Sequence, residues 1–69
     1  MITVYAILLY LHMIFTGTQY TQVAMNQIIT ANQPAITAVQ ADSVLLSQVM
    51  TQYGTLAQGI EIIDPSEGK

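Results

Sequence analysis

The chain has no cysteine, which excludes disulfides and thiolate metal sites. Its one histidine, His12, cannot form a multi-histidine metal centre within one chain, and no cofactor is expected. Charge is nearly as scarce. Only 7% of residues are charged, against about 25% in an ordinary soluble domain. They are Asp42, Glu61, Asp64, Glu67 and Lys69, so positions 1–41 carry none. With Lys69 as the only cation, there is no basic footprint for nucleic acid. Length sets a further bound. A chain of 69 residues buries only about 60% of the surface its unfolded form exposes, and such chains lean on disulfides, a metal or partners. Oligomerisation or a membrane is what remains.

Polar character comes instead from neutral groups: eight Gln, eight Thr, two Asn and three Ser. These side chains hydrogen-bond across packed interfaces without the desolvation cost of an ion. The composition is that of a subunit surrounded by protein or lipid.

The opening run, MITVYAILLYLHMIF, has three readings. A secretion signal fits poorly, because no Lys or Arg precedes the run and Phe15-Thr16-Gly17 is a poor cleavage site. A membrane or assembly segment fits better, with Ile2, Val4, Ile7, Leu8, Leu9, Leu11, Ile14 and Phe15 as its apolar residues. Apolar side chains surround the helix on all sides, and Tyr5 and Tyr10 suit a bilayer interface. Against a span, the run is shorter than the roughly 20 residues a bilayer needs; that length favours a helix buried in a protein assembly. A strand is the third reading, since Ile, Val, Tyr and Thr favour sheets, but clean alternation is lacking.

The remainder divides at Gly17 and at Asn32-Gln33-Pro34. Residues 1–17 are expected as an apolar anchor or assembly helix. Residues 18–33 form a helical connector with Tyr20, Val23, Ala24, Ile28 and Ala31 three or four apart. Pro34, preceded by Asn32, marks a helix start or a kink in a longer helix, and a hairpin at the same point fits nearly as well. Residues 34–63 carry a heptad seam through Ile36, Val39, Ser43, Leu46, Met50, Tyr53, Ala57 and Ile60. Leu45, Val49, Leu56 and Ile63 widen that face toward a bundle. Asp64-Pro65 ends the helix, leaving residues 64–69 as an acidic tail. A second series, His12, Gln19, Asn26, Gln33, Gln40, Ser47, Gly54 and Glu61, also steps by seven. It implies one helical phase held along a long, kinked helix. The expected fold is all-α, an apolar N-terminal helix followed by a heptad-patterned one, and not an independent globular domain.

Three groups are candidate sites. His12 inside a membrane would be a proton carrier or ligand, but no charged residue precedes Asp42, and a neutral imidazole bonded to a neighbouring helix is the plainer role. Asp42 interrupts an apolar face, as an ion path would, or as a residue at the edge of a packed face does. Glu61, Asp64 and Glu67 lack the close spacing of a calcium loop and read as solvated. No Gly-rich phosphate loop or carboxylate pair on a rigid scaffold supports catalysis.

These readings converge on a non-enzymatic structural subunit of a larger assembly, a homo-oligomer or one part among other protein subunits, with lipid bilayer contact and a membrane or virion-associated location. Minor virion components between a capsid and an inner membrane are one setting for such a composition. The alternatives are an accessory subunit of a membrane protein complex, or a soluble helical filament or secretion-rod subunit.

Overall fold

Helices form where the apolar spacing is helical and stop where a local backbone device ends them. The computed structural model describes residues 2–63. Helix α1 spans Ile2–Tyr10 and strand β1 spans Gln19–Thr21. Three helices follow, α2 (Gln22–Ala31), α3 (Gln33–Ala41) and α4 (Ser43–Gln58), and then strand β2 (Glu61–Ile63). The described residues are mostly helical, as expected, with two short strands added.

The first helix is shorter than the apolar run that encodes it. His12 takes a left-handed backbone conformation, φ 62°. Its amide donates to the Leu9 carbonyl at 3.1 Å, and the Met13 amide reaches back to the Leu8 carbonyl at 2.9 Å. Crossed 6→1 and 5→2 bonds of this kind are a Schellman motif, which satisfies the last carbonyls of a helix. Hence α1 ends at Tyr10, and the helix expected through residue 17 does not form. At Gly17 the chain turns again, with φ 81°, which glycine adopts without a Cβ penalty.

Thr21 ends β1 and caps α2: its Oγ1 accepts from the Ala24 amide at 3.0 Å, the N-cap geometry. At the other end of α2, Asn32 donates its own amide to the Ile28 carbonyl and its Nδ2 to the same carbonyl at 2.8 Å. Pro34 follows in the first turn of α3, where it needs no amide hydrogen. Pro34 thus stands at the start of α3, while the Asn32 side chain closes α2 and makes no capping bond to α3.

The helix expected over 34–63 is two helices and a strand. Asp42, at φ −104° and ψ 98°, is extended and breaks the run. Its Oδ1 accepts from the Leu45 amide at 3.1 Å, so one residue both closes α3 and caps α4. Helix α4 tightens at its end, where the Gly59 amide donates to Leu56 and that of Ile60 to Ala57. The chain then extends into β2, for which the β-branched Ile60, Ile62 and Ile63 have intrinsic preference. The tail read over 64–69, with Asp64 and Glu67, lies outside the described residues.

Strands β1 and β2 pair in parallel, Gln19 with Glu61, Tyr20 with Ile62 and Thr21 with Ile63. Parallel strands need a long crossover, supplied here by the three helices between them. Within this frame α1 packs chiefly against α4 and also touches α3. Ala6, Ile7, Leu8 and Leu9 of α1 are buried, and Ile14, Met25, Ile36, Val39, Val49 and Ala57 complete one core. The expected dependence on partners for a core is not shown, since the chain assembles this one from its own elements. The described residues span 44 × 23 × 16 Å.

Candidate functional site

Any site on this molecule starts from what the core leaves outside. The apolar segment read from the sequence splits in two. Ile7, Leu8, Leu9 and Ile14 are buried, and Val4 and Leu11 pack partly against them. Ile2 and Phe15, at its two ends, are exposed. An all-round apolar helix is one that apolar material surrounds on every side, and here that material is largely the rest of the same chain. No helix among the described residues is long and apolar enough to cross a membrane.

The apolar heptad positions also face inward, whereas Ser43 is exposed. Ile36, Val39 and Ala57 are buried, while Leu46, Met50, Tyr53 and Ile60 pack partly against the core. The structure thus brings the two predicted groups together as the two sides of one interior. The Tyr10 ring meets that of Tyr53 edge-on, with centroids 6.2 Å apart and planes at 68°, a favourable aromatic geometry. Of the seven-residue series, Gly54 is buried and the other members are exposed. They are spread over the loop after α1, both strands and three helices, so no single helical phase joins them all.

His12 and Asp42 have backbone roles, one ending α1 and the other opening α4. Both are exposed. Among the described residues there is no pocket and no group of three or more acidic or histidine residues placed to hold a metal.

What remains is a surface of unusual character. Met13 (46% exposed), Phe15 (57%), Val23 (67%), Val44 (68%) and Leu56 (47%) stand in solvent. Around them the polar groups are neutral. Gln22 Nε2 donates to Asn26 Oδ1 at 2.9 Å, and Thr51 Oγ1 donates to the Ser47 carbonyl at the same distance. Asp42 and Glu61 are the only charged side chains among the described residues.

No family model, curated protein or solved structure matches this chain.

Two features of that surface lay outside the sequence reading. Val23 and Leu56 fall within the helical patterns and Val44 in none, and all three are exposed. The paired strands were missed because three-residue strands carry too little alternation to register as a period. The run Ile60-Glu61-Ile62-Ile63 was the available signal.

Proposed function

We propose that this chain is a non-enzymatic structural subunit that works inside a larger assembly, associating with copies of itself and with other subunits. The observation that carries the proposal is the surface, with large apolar side chains exposed at Met13, Phe15, Val23, Val44 and Leu56 and only Asp42 and Glu61 charged among residues 2–63. Charge keeps small proteins soluble and apart. A neutral surface with exposed apolar groups suits contact with other macromolecules.

The test is the mass of the native species. Recovery in a particle well above the 7.5 kDa of the chain supports the proposal; an isolated 7.5 kDa monomer overturns it. Copy number then separates the variants of this reading. Many copies per particle fit a repeating or virion assembly, or a filament, and one copy per complex fits an accessory subunit.

A second reading, membrane association, draws on Tyr10, Met13 and Phe15, all exposed at the C-terminal end of α1. With α1 in the core, the contact would be peripheral, made by this loop at the level of the headgroups. Alkaline carbonate releases a protein held in that way. Release by detergent alone would require embedding deeper than this loop provides.

A further inference from the structure

We propose that α1 exchanges between two copies of this chain, pivoting at His12, so that the α1 of each copy packs on the α4 of the other. The inference rests on the self-association proposed above and supplies its contact. Sequence and fold disagree at the pivot. From Ile2 to Thr16 there is no glycine or proline, so no breaker in the local sequence stops the helix, yet α1 ends at Tyr10. It ends because His12 sits at φ 62°, a conformation that is costly for an L-residue and persists only where its surroundings impose it.

Both states of the pivot satisfy the same backbone groups. In the closed chain the His12 amide donates to Leu9 and the Met13 amide to Leu8. In a continuous helix each amide donates to the carbonyl four residues back, so His12 would donate to Leu8 and Met13 to Leu9. Two donors exchange two acceptors, and no hydrogen bond is lost. The change relieves His12 and turns α1 away from its own α4. Ile14, buried just beyond the pivot, keeps its place and anchors the rest of the chain.

The structure shows what can cover a displaced α1. Its seat is formed by α4 and α3, and a second copy offers an identical seat, vacated by the same movement. Each core is refilled by Ala6, Ile7, Leu8 and Leu9 of the other copy, so the α1 contacts are remade and the pairing is isologous. A bilayer would cover α1 but leave its seat empty, turning apolar surface of α3 and α4 around Ile36, Val39, Val49 and Ala57 toward water, which is unfavourable in proportion to its area. Met13 and Phe15, both exposed in the closed chain, flank the pivot where the two chains cross at the twofold axis, and there they gain cover. What opposes the exchange is the cost of bringing two chains together, so the swapped form grows with concentration.

The test uses the full-length chain, which has no cysteine of its own. The rings of Tyr10 and Tyr53 meet with centroids 6.2 Å apart, so a short bismaleimide can join thiols at these two positions. Tyr10→Cys and Tyr53→Cys chains, mixed in urea and refolded together, should give abundant crosslinked heterodimer, with far less crosslink from either alone. By light scattering against concentration, His12→Gly, at ease in the left-handed conformation, should raise the dimer Kd about tenfold per pivot and so about a hundredfold. His12→Ala, which favours the helix, should lower it. Circular dichroism checks that each variant folds, and the opposed shifts at His12 decide the outcome if a cysteine variant does not. A wild-type oligomer with no heterodimer crosslink and the same Kd for His12→Gly and His12→Ala overturns the exchange while leaving the structural-subunit reading intact. Dissociation of the His12→Ala dimer onto phosphatidylcholine vesicles overturns it in favour of lipid. A wild-type monomer at every concentration overturns both the exchange and the self-association.

Discussion

At position 12 a histidine holds the backbone at φ 62°, where glycine is the usual occupant of a helix C-terminus. Histidine is among the few other residues enriched there. The left-handed conformation costs an L-residue about 1–2 kcal/mol, so His12→Gly should be tolerated or stabilising. His12→Val, β-branched at the same angle, should be less stable than His12→Gly by about 1–2 kcal/mol. Urea denaturation of the two variants measures the difference. Equal midpoints would mean that α1 ends for some other reason. Gly54 offers the reverse test. It is buried within α4, yet a Cβ added there meets only Met50 Cε at 3.6 Å, an ordinary contact. Gly54→Ala should raise stability by about 0.5–1 kcal/mol through helix propensity. A lowered melting temperature would show that the α4 packing has no room for the methyl group.

Helix α4 depends on its first residue as well as on its interior. Asp42 caps it through the Leu45 amide at 3.1 Å and places a negative charge at a helix N-terminus, where the dipole favours it. Asp42→Ala should cost about 1 kcal/mol, with Asp42→Asn keeping most of the cap. Chemical denaturation of both distinguishes the cap from charge alone. Asp42 also shows how far the sequence could be read at this scale. Of the apolar positions spaced from Ile36 to Ala57, Ile36, Val39, Val49 and Ala57 are buried while Leu56 is exposed. That spacing did not show the break, because one extended residue hardly disturbs a count by threes and fours. Pro34 was legible because proline acts through its own ring and missing amide, whereas Asp42 acts through a hydrogen bond that forms only once the chain turns. The first helix illustrates the same limit. Ile2, Ile7, Leu8 and Ile14 announce an apolar environment, and composition cannot distinguish lipid, a partner or the chain's own core. The strands depend on pairing between Gln19 and Glu61, a long-range contact that no local window contains. The candidate surface was hidden for a related reason: which valines and leucines remain outside is decided only when α1 takes its place.

Taken as a whole, the molecule is organised around α1. Leu8 has no exposed surface and sits on the helix that joins α3 and α4. Leu8→Ala should cost about 2–5 kcal/mol. A chain of this length has only about 3–10 kcal/mol in total, so the variant should be largely unfolded at 37 °C by circular dichroism. A variant with an unchanged melting temperature would place α1 outside the core. Charge substitutions at Leu8 or Leu9 therefore report on folding first, whatever their effect on assembly or lipid. The pairing of α1 with α4 also has a consequence in time. The last residue of α1 precedes the last of α4 by 48 positions (58 − 10). At about 5–20 residues per second of synthesis, the most apolar nine residues leave the ribosome about 2–10 s before their main packing partner is complete. For that interval the nascent chain presents an uncovered hydrophobic helix, and that is when chaperone capture or membrane-targeting factors would compete with folding.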